Sequence, residues 1–288
     1  MNAGRHVDLR DLAERIRSIE KRHGAPAEDR CIDPPAREMI STGWAEIDAA
    51  LGGGLPAGGL HEFFGVEEAG PREAAAPPAR GSLPLWTPPL CFLIHLAWQA
   101  LDRDAACPWV VWIGARCHPY PRALVRGRPP DRRLLERSLF VAPRDAAERL
   151  WAIDLALRSA AVAAVVADGG ALDRAATQRV QLLAKNRSKV VFAARPPWER
   201  TRLSAAQTRW HVRAAPPRIG KKAGGVAPGW SVELLRCKGV RPAQDHRAWL
   251  LEQSRDEGLI HLSARLADLA GAPAAREPRA PDRLSRRL

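Results

Sequence analysis

Apolar positions along the chain follow two different periods, and the changes between them divide it into segments. Residues 7–23, VDLRDLAERIRSIEKRH, place Leu9, Leu12, Ile16 and Ile19 at intervals of three, four and three. That spacing puts one narrow apolar stripe on a helix whose other sides are charged. Gly24 and Pro26 end this helix, and residues 25–39 read as a linker. A short helix is expected over 44–51, capped by Ser41 or Thr42 and stopped at Gly52 to Gly54, with a turn over 56–59 and a strand over 60–64. The run LCFLIHLAWQAL at 90–101 has helical length and few polar positions, so it predicts a buried helix. WVVWI at 109–113, VAAVVA at 162–167 and KVVFAA at 189–194 are nearly continuous apolar runs of strand length, as expected where both sheet faces are covered. Amphipathic helices near 145–159 and 173–186 separate the last two runs from what precedes them, and this alternation predicts an α/β fold with a mainly parallel central sheet flanked by helices. After residue 200, QTRWHVR, WSVELLRC, HRAWLLEQ and GLIHLSARL predict antiparallel strands added at the C-terminal edge. The organisation is an N-terminal interaction helix over 1–24, a linker over 25–39, a core over 40–270 and a basic, disordered tail over 271–288.

Composition narrows the function classes. The 288 residues, 46% of them hydrophobic, suffice for one large core with tails. Five scattered cysteines form no CxxC pair and no histidine-flanked cluster, which argues against a disulfide framework or a zinc site and for a reducing cytosol. No apolar stretch approaches 18 residues and the N-terminus lacks an apolar signal core, so the expectation is a cytoplasmic protein that does not span a membrane. The net charge of +13 has two readings, a polyanionic partner or the arginine bias of a GC-rich genome. Its placement is more telling than its size, because residues 185–222 hold eleven Lys or Arg against one acid, Glu199.

The segment ISTGWAEIDAALGGGLPAGGLHEFFG resembles the opening of the RecA recombinase core: a similar Ile-Ser-Thr-Gly, a short helix, a Gly-rich turn and the strand that leads into the phosphate loop. IEKRHG at 19–24 resembles the end of the recombinase N-terminal helix. VVWIGARCHPYPRAL, AVAAVVADGGAL and QRVQLLAKNRSKVVFAARPP resemble, in order, its second core strand, its Walker B strand, and the helix and strand before its second DNA-binding loop. Within this superfamily, Ser41-Thr42-Gly43-Trp44, Arg209-Trp210 and the segment PGWSVELLR at 228–236 resemble the pattern of the ImuA family, RecA-like relatives encoded beside ImuB and an error-prone DNA polymerase. The resemblance implies a RecA-like core over 40–270.

The chemistry of an ATPase does not fit these residues. A phosphate loop needs glycine amides, a lysine, and a Ser or Thr for magnesium. Residues 65–81, GVEEAGPREAAAPPARG, stand in that slot without a lysine. Gly70-Pro71-Arg72-Glu73 occupies roughly the place of the Gly-Lys-Thr end; Pro71 removes an amide donor, and Glu67, Glu68 and Glu73 would repel phosphate. Where the recombinase carries its water-orienting glutamate, this chain has Arg116. Asp168 remains at the Walker B position, where a turn-forming role competes with a magnesium role. The expectation is a degenerate Walker A segment, no catalytic residue, no cofactor and no metal. Cys117 beside His118 is not read as a nucleophile pair, since neighbours on an extended segment point in opposite directions, and His61 has no ligand-spaced partner.

Interaction sites are the remaining candidates. Arg195, Trp198, Arg200, Arg202 and Arg209 combine phosphate-seeking charge with one aromatic, a set suited to single-stranded DNA. An acidic protein partner or an ordinary solvated loop reads the same residues equally well. Leu9, Leu12, Ile16 and Ile19 could engage a recombinase subunit or a second copy of this chain, or fold onto their own core. Of the ten tryptophans, Trp86 and Trp198 lie in loop-like sequence and are the candidates for exposure, while the rest are expected in the core. The resemblance implies a non-enzymatic accessory protein of DNA-damage-induced mutagenic translesion synthesis. It would bind an ImuB-type Y-family polymerase homologue, with RecA, an error-prone DNA polymerase and single-stranded DNA as further partners. The alternatives are a SulA-like inhibitor of cell division and a divergent RecA-like ATPase.

Overall fold

The computed structural model describes residues 38–67, 85–103, 108–219, 226–239, 248–254 and 260–265. The chain divides between Arg37 and Glu38, and every described residue lies in the second unit. The N-terminal helix with Leu9, Leu12, Ile16 and Ile19, most of the linker, the degenerate phosphate-loop segment from Glu68 onward with Gly70 to Glu73, and the basic tail therefore lie outside the described residues.

Thirteen strands are described. The first two, β1 (Met39–Ile40) and β2 (Leu55–Pro56), pair with each other around α1 (Ala45–Leu51), so Met39 belongs to a strand rather than to the expected linker. Neither Ser41 nor Thr42 caps α1. The relation is reversed: Asp48, one turn inside the helix, accepts from Ser41 Oγ at 2.6 Å, Thr42 Oγ1 at 2.6 Å and Thr42 N at 2.8 Å, which pins the incoming chain to the helix. Next come β3 (Gly59–Phe64), β4 (Val66–Glu67), β5 (Trp86–Thr87), α2 (Leu90–Arg103), β6 (Trp109–Ile113), α3 (Arg133–Glu136), β7 (Ser138–Val141), α4 (Ala146–Arg158), β8 (Val162–Asp168), α5 (Arg174–Arg187) and β9 (Val190–Arg195). Four strands close the sequence: β10 (Thr208–Ile219), β11 (Val226–Cys237), β12 (Ala248–Gln253) and β13 (Ile260–Arg265). Both long helices on the second face begin where a side chain can hold them: Asp145 accepts from Glu148 N at 2.8 Å, and Asp173 accepts from Ala176 N at 2.7 Å.

Nine strands form the main sheet in the order β13-β12-β11-β10-β3-β9-β8-β6-β7. The six from β10 to β7 run parallel, and β11 to β13 are antiparallel additions at one edge. The central runs bury both faces, so alternate residues serve two cores. Val110, Trp112, Val166, Phe192 and Phe63 join α1 and α2 on one side. Leu60, Val111, Val165 and Val191 meet Ile153, Leu157, Val180 and Ala184 of α4 and α5 on the other.

Connections leave β6 toward the β7 edge and leave β8 toward β9, so the winding reverses between neighbouring strands and opens a crevice at their carboxyl ends. The sequence pattern missed β7, and it misplaced two tryptophans. Trp86 is only 6% exposed: β5 pairs with β4, and the ring joins the hydrophobic core. Trp151, expected in the core, is 61% exposed on the outer face of α4.

Candidate functional site at the carboxyl ends of the parallel strands

Four loops meet at the crevice. Gly114 closes β6 with φ +96°, and a Cβ there would lie 2.8 Å from the Cβ of Asp168. This close approach lets the end of β8 lie against the turn that carries Arg116. Asp168 Oδ1 accepts from Gly170 N at 2.9 Å and so forms the turn after β8. Its other oxygen, Oδ2, faces Arg149 Nη1 at 3.7 Å and Arg116 Nε at 4.0 Å. Arg149 reaches in from α4 and donates from Nη2 to the carbonyl of Gly170 at 2.5 Å, while its Nε–H is buried with no protein acceptor. Cys117, on the same turn, is buried, and burial pushes its thiol far above the ordinary range, with the Asp168 carboxylate adding to the effect. It is therefore an inert core thiol rather than a nucleophile.

Behind this floor lies a cluster of charges sealed from solvent. Glu62, in the middle of β3, accepts from Arg195 Nη1 at 2.5 Å, from Ser204 Oγ at 2.7 Å and from Arg209 Nε at 2.8 Å. Glu199 accepts from Arg195 Nη2 at 2.6 Å and Nε at 3.1 Å, from Arg202 Nη1 at 3.0 Å and from the amide of Ala171 at 3.0 Å. Arg195 also donates to the carbonyl of Leu172 at 2.8 Å. Two carboxylates and two guanidinium groups thus balance inside the protein, and nearly every lone pair and N–H has a partner, the condition under which buried ions are tolerated.

The structure gathers Arg195, Trp198, Arg200, Arg202 and Arg209 in one region but turns them in different directions. Arg195 and Arg209 correct the expectation of surface contact: both are buried and committed to Glu62, and Arg209 also lies 4.8 Å from the centroid of the Phe64 ring. A guanidinium held in this way cannot reach a phosphate without breaking an ion pair. Trp198 is 37% exposed and lines the crevice. Arg202 is 56% exposed in its side chain. Arg200 is exposed, donating from Nε to the carbonyl of Pro197 at 3.0 Å and lying 3.1 Å from His211 Nδ1.

Sequence reasoning missed Glu62, Glu199 and Arg149. The first and last carried a signal: a glutamate within the apolar run GLHEFF, and an arginine four residues before Ile153 on the inward stripe of α4, both need a buried partner.

Together the crevice and its walls make a cavity of about 260 Å³, lined by Trp86, Arg116, Arg149, Asp168, Trp198 and Arg202 among others. The Asp168 carboxylate is folded onto its own turn and faced by two cations, Arg149 and Arg116. No described helix is long and apolar enough to cross a membrane.

A six-stranded parallel sheet with this order, helices on both faces and antiparallel additions define a RecA-like core. In agreement, the fold matches the crystal structure of the RadB recombinase with a TM-score of 0.51 over 77% of this chain and 98% of that one, at 15% identity. No protein-family model matches the chain. It is 34% identical over 258 aligned positions to Protein ImuA of Caulobacter vibrioides, in strains NA1000 / CB15N and ATCC 19089, covering 83% of this chain and 95% of the relative. The chain belongs to the ImuA family.

Proposed function

We propose that this protein is a non-enzymatic, cytoplasmic adaptor in DNA-damage-induced mutagenic translesion synthesis. In this reading it binds an ImuB-type Y-family polymerase homologue and helps to bring an error-prone DNA polymerase to lesions, with RecA or single-stranded DNA as further contacts. Family membership and the RecA-like core support the setting. The observation that carries the non-enzymatic part is the position of Asp168, whose carboxylate lies between Arg149 and Arg116 where an ATPase of this fold would hold a magnesium ion. A guanidinium on that side repels a divalent cation and takes up the space of the attacking water. The residues therefore do not fit ATP.

With turnover set aside, the work falls to surfaces. Trp198, Arg200 and Arg202 are presented together on the loop after β9, which gives a macromolecular partner one aromatic anchor flanked by charge. The test is affinity purification of the tagged full chain from damaged cells of its own organism. Recovery of the ImuB-type protein, together with loss of ultraviolet-induced mutagenesis on deletion, is the expected result. Absence of that protein from the eluate, with mutagenesis unchanged by deletion, would remove the assignment.

A further inference from the structure

The crevice has donors that its own acceptors do not use. Arg116, Arg149 and Arg202 enter it against two acids, Asp168 and Glu199. Glu199 is already saturated by Arg195, Arg202 and the amide of Ala171. Asp168 spends one oxygen on Gly170 N, and its other oxygen lies beyond hydrogen-bond reach of both arginines, at 3.7 and 4.0 Å. Arg149 keeps a buried, unpartnered Nε–H, and Arg116 is 41% exposed in its side chain, with its guanidinium 5.6 Å from the Trp86 ring centroid. With Glu199 already balanced by the buried Arg195, Arg116, Arg149 and Arg202 face Asp168 alone, and the lining carries an excess of positive charge.

We infer that this crevice receives the carboxylate of an acidic segment on a protein partner, with Arg149 and Arg116 as its donors and Trp198 covering the chain that carries it. The inference rests on the adaptor reading and deepens it by naming a docking site. Three features select this ligand. The cavity of about 260 Å³ falls below the roughly 300–1,000 Å³ of pockets that enclose cofactor-sized ligands, and suits one side chain. A carboxylate side chain answers the positive excess one charge at a time, whereas a phosphate-rich strand would crowd several charges against Asp168. A planar carboxylate matches guanidinium forks from two directions.

The experiment is fluorescence polarisation with the full chain at low ionic strength, using a labelled octapeptide of alternating Asp and Glu and, in parallel, a labelled oligothymidylate of equal length. Saturable binding of the peptide is expected, weakened about tenfold or more in Arg149→Met and in Arg116→Met, the loss that follows from removing one charge-assisted hydrogen bond. Arg187→Met, at the far end of α5, leaves it unchanged. Arg116 is half-exposed, so its variant keeps the fold, and circular dichroism melts of each variant confirm this. Equal peptide affinity in all variants, or arginine-dependent binding of the oligonucleotide alone, overturns the inference. Recovery of the ImuB-type protein by a chain that ignores the peptide would sink the docking site while leaving the adaptor role intact. Peptide binding without recovery of that protein would do the reverse.

Discussion

The indole N–H of Trp44 donates to the carbonyl of Ile260 at 2.9 Å, joining positions 216 residues apart. The Trp44 ring stacks on His95, at a centroid distance of 4.2 Å, and on Phe92, at 5.2 Å. His95 in turn donates from Nε2 to the carbonyl of Thr42 at 2.7 Å. Gly43 sits between them at φ +81°, where a Cβ would be 2.8 Å from Gln99 Nε2 and 2.9 Å from His95 Nε2. The Ser-Thr-Gly-Trp sequence is therefore a structural clasp: it fastens the entry of the core to the last described strand, and its glycine is needed for clearance. Trp44→Phe keeps the aromatic stack but leaves the Ile260 carbonyl without its donor. The expected loss is about 1–2 kcal/mol in urea unfolding, with faster amide exchange confined to β12 and β13.

The buried charge cluster predicts an asymmetry between arginines that look alike in sequence. Arg195→Met leaves Glu62 and Glu199 each short of a partner in a dry interior, so unfolding stability should fall by about 3–5 kcal/mol. Arg202→Ala removes a largely exposed partner from a carboxylate that Arg195 still holds, and should change stability by no more than about 1 kcal/mol. Denaturant midpoints of the two variants check this directly; equal losses would mean that the cluster is solvated.

Much of the scaffold was readable from the chain, because strands buried on both faces need no alternation to announce themselves and the helices carry their caps, Asp145 and Asp173, in the sequence. The edge strand β7 was not readable. Its apolar run, Leu139 to Ala142, is only four residues long and is closed by Pro143, too short to separate a strand from a loop, and Leu139 and Phe140 are both exposed at the sheet edge. The site was legible only in part. Arg116 and Asp168 could be placed by their position after apolar strands, and Trp198 and Arg202 do reach the crevice. That Arg195 would turn inward depended on Glu62, which lies 133 residues earlier and comes alongside only when β3 and β9 pair. Local pattern cannot report which of several arginines finds a buried acid.

Two histidines should make stability fall in mild acid. His61 is fully buried between the Pro56 carbonyl, 3.0 Å from Nε2, and Thr208 Oγ1, 2.8 Å from Nδ1, and burial lowers its pKa to about 4. His95 is lowered to about 4 for the same reason. The unfolded chain takes up these protons near pH 6.5 and the folded chain does not, so stability is full above pH 6.5 and is lost as pH falls toward 4. For His61 the loss between pH 7 and pH 5 is on the order of 2 kcal/mol. Carboxylates held low by arginines, such as Asp131 by Arg133 and Asp154 by Arg158, act only below this window. Unfolding free energies at pH 7, 6 and 5 give the slope, and a flat profile would mean that both rings titrate in the fold as they do in the unfolded chain.

Gly114 offers a test of how tightly the crevice is closed. Alanine there adopts a positive φ that side chains disfavour and places its methyl group against Asp168. Gly114→Ala should lower the melting transition by the equivalent of about 2 kcal/mol. The turn that holds Arg116 should shift with it, so the variant should quench differently with iodide if Trp86 and Trp198 report on the crevice. An unchanged melt would show that β6 and β8 separate more freely than the geometry allows.

The sharpest prediction concerns nucleotide. Magnesium in such a site takes near-octahedral oxygen ligands at about 2.0–2.1 Å and keeps several waters. Asp168 can offer only one oxygen, Oδ2, and the two guanidinium groups that face it leave a dication repelled on its approach. On the phosphate side, residues 65–81 contain three glutamates and two arginines but no lysine, so the sequence lacks the residue with which a phosphate loop neutralises a triphosphate. Both halves of the magnesium-ATP complex are thus opposed by independent groups, and relieving one does not help the other. Calorimetric titration of magnesium-ATP into the full chain should give no saturable heat up to about 1 mM. Arg116→Glu, which returns a carboxylate to the water-orienting position, should remain equally silent because Arg149 and the lysine-free segment are untouched. Saturable binding of magnesium-ATP to the unmodified chain, with release of phosphate, would show that the arginines move aside and that the cleft is still an active nucleotide site.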